Sequence, residues 1–245
     1  MQQKNIVTNR IRLGENLPPT GSSKRRESEM CAYRNKQVPQ HRLNQKADRK
    51  LDYLATIFSG AAEDQLSGNE SRFLSKRLTF KGFYHLEHLD LEYTYENRFW
   101  SFNYNITYHT RILDEHFPFS EKWGKGIRLK VFTSGKMEIS DAEWVLDWPK
   151  KSEDPILKAC LNRLNNPLII DRIVSLDLSS VELIYLDSEK KWDLKCSTLI
   201  GSTTWIMIPP MMQLIKPTIS ECIRLYEFVE MTLGAVRGCE RAMSS

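Results

Sequence analysis

The chain has 245 residues, 41% of them apolar and 27% charged, with a mean hydropathy of −0.46. These values exclude a helical membrane protein, a collagen and a fully disordered chain, and they leave one large globular domain or two small ones. The net charge of +4 is unevenly spread: residues 1–50 carry twelve Lys and Arg against four Asp and Glu, whereas the remainder carries 23 against 27.

Residues 1–48 contain none of the six Trp and none of the ten Phe, and they are rich in Asn, Gln, Ser, Lys and Arg. Such a segment buries too little apolar surface to offset its ordering entropy. The sequence therefore predicts a flexible, disordered basic tail over 1–48. Within it, Lys24, Arg25 and Arg26 are candidate contacts for an acidic partner, a nucleic-acid phosphate or an anionic surface. The first residues lack the apolar run of a secretory leader, so none is expected. The five cysteines are odd in number and none are paired as Cys-x-x-Cys. That pattern argues against a disulfide framework or a zinc ribbon and for a reducing, cytoplasmic setting.

Asp48 reads as the N-cap of a first helix, roughly 49–59, with Leu51, Leu54, Ile57 and Phe58 at helical spacing and Gly60 as its stop. The polar run from Glu63 to Glu70 reads as a loop. From about residue 78 the period becomes two. Leu89, Leu91, Tyr93 and Tyr95 alternate with Asp90, Glu92, Thr94 and Glu96. After a turn near Asn97, Trp100, Phe102, Tyr104, Ile106 and Tyr108 alternate with Ser101, Asn103, Asn105, Thr107 and His109. This is the pattern of an antiparallel hairpin with one buried and one polar face. A second hairpin is expected from Ile127, Leu129 and Val131, through a Ser134-Gly135 turn, to a return strand from Met137. Asp154-Pro155 opens a helix whose stripe is Ile156, Leu157, Cys160, Leu161 and Leu164. The run Leu168–Leu178 fits either a helical turn or a buried strand. A third hairpin pairs Val181, Leu183 and Tyr185 with Trp192, Leu194 and Cys196. A further strand, about Thr203–Ile208, stops at Pro209-Pro210. Thr218 and Glu221 form a capping box for a last helix ending near Gly238.

The order helix, strands, helix, strands, helix predicts an α+β fold. Its antiparallel meander sheet would be packed by two or three helices, as a single domain over 49–240 with two coarsely similar halves, 78–165 and 173–237. No cofactor motif is present. His85-Leu86-Glu87-His88 has metal-like composition, and His116 or Asp114 would supply a third ligand. On a strand, however, positions three apart face opposite ways, so no metal site is expected there. Asp90, Glu92 and Glu96 share one polar face, an ordinary solvated arrangement. The facing row offers amides, a hydroxyl, an imidazole and a guanidinium: Ser101, Asn103, Asn105, His109 and Arg111 are the candidate binding residues. Absent a catalytic signature, the expectation is a non-enzymatic binding protein whose partner is another protein. The alternative is a small-molecule site or enzyme using a cleft between the last helix and the sheet.

Overall fold

The computed structural model describes residues 23–237 except 99, 116, 118–126, 134–138 and 147–154, with side chains from His41 onward save those of 128–133 and 157. The chain divides into two compact units, residues 1–41 and 42–245. Of the first, the described part is the helical backbone of residues 23–41. The second unit contains the whole sheet.

The fold is α+β: a nine-stranded antiparallel sheet with four helices. The elements are α1 (Ser23–Ala61), β1 (Leu66–Arg72), β2 (Ser75–Phe80), β3 (His88–Arg98), β4 (Ser101–Leu113), β5 (Ile127–Thr133), β6 (Ile139–Leu146), α2 (Pro155–Leu164), α3 (Pro167–Ser175), β7 (Leu178–Leu186), β8 (Lys191–Ile206), β9 (Met211–Leu214) and α4 (Ile219–Arg237). The strands run β1-β2-β3-β4-β8-β7-β5-β6 across the sheet, and β9 pairs with the end of β8. None of the described helices is long and apolar enough to cross a membrane.

Register decides which residues share a face. Leu91 lies opposite Tyr108, Tyr93 opposite Ile106, Tyr108 opposite Cys196, and Leu194 opposite Leu183. These side chains form the apolar face, and the helices pack on it. From α1, Leu51, Leu54 and Phe58 are buried, and Phe58 meets the rings of Tyr108 and Tyr226. From α4, Tyr226 packs edge-on against Phe80 and donates its hydroxyl to Phe58 O at 2.7 Å. Cys222, Leu225, Phe228, Val229 and Leu233 complete the buried stripe of α4. Its expected capping box forms: Glu221 N donates to Thr218 Oγ1, and Thr218 N donates to the Glu221 carboxylate at 2.7 Å.

Several expectations are corrected. α1 begins at Ser23, so Asp48 is no N-cap and residues 23–48 are helical. Leu43 and Ala47 are buried, which places the end of the expected tail in the core. Asp48 turns its carboxylate to Leu74 N and to Lys76. The run Glu63–Glu70 contributes to strand β1, which is exposed along most of its length and therefore carries no apolar alternation. Trp100 lies in the β3–β4 turn and is 65% exposed rather than inward. The undecided segment after Pro167 is helix α3, capped by the Asn166 side chain, which accepts from Leu168 N. The return strand of the third hairpin and the further strand are one element, β8. It is continuous because Ser202 Oγ accepts from Ile106 N and donates to Thr198 O where the register shifts. Cys160, read as a small core hydrophobe, is buried and also disulfide-bonded, to neither Cys196 nor Cys222, which are free thiols. The Ser134-Gly135 turn, the Asp154 cap and the Gly238 stop lie outside the described residues.

Candidate functional site on the open sheet face

The face opposite the helices is polar because each strand alternates. Residues one position away from the core stripe meet across the ladders: Arg77 opposite Asp90, Asp90 opposite His109, His109 opposite Lys195, and Arg111 opposite Asp193. The result is a transverse row of alternating charge across β2, β3, β4 and β8. Arg77 grips Asp90 in a two-pronged pair, Nε to Oδ1 at 2.6 Å and Nη2 to Oδ2 at 2.7 Å. The imidazole of His109 follows, its Nδ1 3.9 Å from Asp90 Oδ2 and its Nε2 in a short contact with Asp193 Oδ1. An ionised carboxylate only accepts, so Nε2 carries the proton of that bond. Beyond it, Arg111 Nε lies 3.5 Å and Lys195 Nζ 3.8 Å from Asp193. Arg111 also reaches Glu189 at 3.8 Å.

The row is half sunk into the face. Asp90, His109 and Asp193 are buried, whereas Arg77, Arg111 and Lys195 are substantially exposed. Burial penalises the Asp193 carboxylate. The hydrogen bond and charge of His109, with Lys195 and Arg111, outweigh that penalty and hold it below the ordinary aspartate range. Burial likewise holds His88, two residues before Asp90 on the same face, below the ordinary histidine value, against the pull of Asp90. Beside the row, Glu70, Arg72, Ser75, Arg77, Asp90 and Glu92 line an open depression over β1, β2 and β3. Among the described residues, Asp90, Glu92 and His109 form a group that could hold a metal ion, each offering one ligand atom within 4.8 Å of the others. The arrangement is suited to binding charged groups of either sign.

The candidate binding residues of β4 divide into two groups. His109 and Arg111 meet through Asp193. Asn103 and Asn105 instead gather around Glu96: Asn103 is its cross-strand partner, and Asn105 Nδ2 donates to its carboxylate at 3.3 Å. Asn103 Oδ1 is buried without a hydrogen-bond partner among the described residues. Ser101 begins the strand opposite Arg98, eight positions from His109 and so about 27 Å along it. The side chains of Lys24, Arg25 and Arg26 lie outside the described ones, their backbone being part of α1. His85 and His88 do not share a site. His85 lies in the β2–β3 connection beside Gly234 of α4, while His88 starts β3 on the open face. Asp114 accepts from Trp192 Nε1 at 3.1 Å, and His116 is outside the described residues. Sequence reading missed Arg77, Asp193 and Lys195. Asp193 and Lys195 alternate with Trp192, Leu194 and Cys196, so their outward direction was readable. Their pairing with β4 was not, because the end of β4 at Leu113 and the start of β8 at Lys191 are far apart in the chain.

The fold and this face define an α+β protein with an antiparallel sheet covered by helices on one side and charged on the other. The chain belongs to the family described as a protein of unknown function (DUF3156), whose model matches residues 58–236. That range takes in all nine strands and every residue of the charged row. No curated protein and no solved structure matches the chain.

Proposed function

We propose that this is a non-enzymatic binding protein that recognises another protein through the open sheet face, centred on the row Arg77–Asp90–His109–Asp193–Arg111. The observation that carries the reading is the row itself. Four strands place ions of alternating sign side by side, with the acidic members buried and the basic ones extending outward. Such a surface favours a partner with matching alternate charges and sets orientation and encounter rate more than raw affinity. The basic N-terminal segment, with Lys24, Arg25 and Arg26, adds attraction to an acidic region of that partner or to an anionic surface.

A ligand cleft under the last helix has less support. Tyr226, Phe228, Val229 and Leu233 are buried in the space such a cleft would need, and Phe58 and Phe80 close around Tyr226. The test is cross-linking and capture with the full chain and with Arg111→Glu/Lys195→Glu, whose side chains are substantially exposed, with circular dichroism verifying that the double variant is folded. The expected result is a protein retained by the wild type, released by added salt and lost from the double variant. Retention of the same protein by both forms would place recognition elsewhere.

A further inference from the structure

We propose that Asp90, Glu92 and His109 form a binding site for a first-row divalent metal ion such as Zn2+, with Asp193 orienting the imidazole. Strand geometry assembles the three donors. Asp90 and Glu92 are two apart on β3 and so share a face, and His109 is the direct cross-strand neighbour of Asp90. Their ligand atoms already lie within 4.8 Å of one another, and Glu92 is half-buried in the lining of the open depression. Metal–ligand distances of about 2.0–2.2 Å put tetrahedral donors about 3.4 Å apart, so side-chain movements of up to about 1.4 Å close the site.

The placement of the His109 ring is the second, independent observation. Its Nε2 faces Asp193 and its Nδ1 faces Asp90 Oδ2 at 3.9 Å, too far for a hydrogen bond. Asp193 holds Nε2, which leaves Nδ1 as the ring nitrogen facing the carboxylates. A carboxylate holding the far nitrogen of a ligating histidine is the usual outer partner of such a ligand. An imidazole nitrogen among carboxylate oxygens selects a transition metal over Mg2+ or Ca2+. Arg77 is the competitor. Its guanidinium neutralises Asp90 in the metal-free protein, and its exposed side chain has room to swing away when a cation enters. The site therefore carries a built-in limit on affinity that its own neighbour imposes.

The experiment titrates the metal-stripped full chain with ZnCl2, MnCl2 or MgCl2 by calorimetry, with histidine resonances followed by NMR. Because free thiols also take Zn2+, the Mn2+ arm is essential: one equivalent broadens the His109 ring signals selectively. Circular dichroism verifies that each variant is folded. The expected results are one site per chain for Zn2+ and Mn2+, none for Mg2+ at the same concentrations, a tenfold or greater loss of affinity in Glu92→Gln, and a gain in Arg77→Gln. Both substitutions fall on side chains that are not fully buried. Unchanged affinity in Glu92→Gln, or His109 signals indifferent to Mn2+, would overturn the proposal. The readout involves no partner, so its failure and that of protein recognition are separable.

Discussion

Tyrosine hydroxyls show how single residues bind this core together. Tyr93 donates to Gly201 O at 2.7 Å, Tyr104 to Asn44 Oδ1 at 2.6 Å, Tyr108 to Ile200 O at 3.0 Å and Tyr226 to Phe58 O at 2.7 Å. Burial pushes Tyr93 and Tyr104 up to about 12 and holds Tyr108 and Tyr226 well above the ordinary phenol value. A phenol whose folded pKa exceeds its unfolded value stabilises the native state below about pH 10, and that contribution is lost as pH rises toward the folded value. Stability to urea should therefore fall between pH 10 and about 12, by roughly 1.4 kcal/mol per pH unit for Tyr93. These four should ionise, by ultraviolet difference absorbance, only as the chain unfolds. Lys76 makes a second residue-scale case. Its ammonium is buried against Asp48 at 3.1 Å, Asp52 at 2.8 Å and Ser71 Oγ at 2.7 Å. Asp48→Asn leaves that charge short of a partner and should cost about 2–3 kcal/mol in chemical denaturation. None of the tyrosine partners was visible in sequence, where Tyr93 and Tyr104 read as core, because hydrogen-bond partners 60 to 168 positions apart leave no local trace; Asp48, read as a cap, instead pairs with Lys76.

At the scale of elements, period-two alternation marked β3, β4, β7 and the first half of β8 because each separates an apolar from a polar face. β1 escaped because it is an edge strand with Ser67, Asn69, Glu70, Ser71 and Arg72 exposed, a composition that also discourages pairing with other chains. The opposite edge, β6, is blunted differently. The Asn165 side chain accepts from Trp144 N at 2.8 Å and donates to Trp144 O at 3.1 Å, taking the place of a further strand. The bulge in β8 turns on Gly201, whose φ is +91° and whose added Cβ would lie 2.6 Å from Tyr108 Oη and 3.0 Å from Leu54 Cδ2. Gly201→Ala should lower stability by about 2–3 kcal/mol, measured as a fall in Tm of several degrees. The β2–β3 connection is tied to α4 by one carboxylate: Glu230 accepts from the backbone N–H groups of Tyr84, His85 and Leu86 at 2.8–3.0 Å. Glu230→Ala should cost about 2 kcal/mol and speed amide exchange at those three residues, while Glu230→Gln, keeping one oxygen, should cost less.

For the whole molecule, the second unit holds the described core, and Leu43 is the first buried side chain of α1 among the described residues; a chain beginning at Arg42 should keep the cooperative transition and Tm of the full protein. A loss of more than a few degrees on scanning calorimetry would mean that residues 1–41 contribute to the core. Composition and alternation by themselves determined the α+β class, the antiparallel pairing of sequence neighbours, the capped last helix and a polar face on β3 and β4. Each of these is written within a window of a dozen residues, where side-chain period and turn chemistry act. The tertiary structure alone decided that β8 inserts between β4 and β7. That placement carries Asp193 to His109 and Arg111, and it follows from burying Trp192, Leu194 and Cys196 in a core drawn from segments far apart in the chain. Local sequence can aim a side chain at a face, but it cannot name the neighbour, since long-range pairing is chosen by the burial of the entire core.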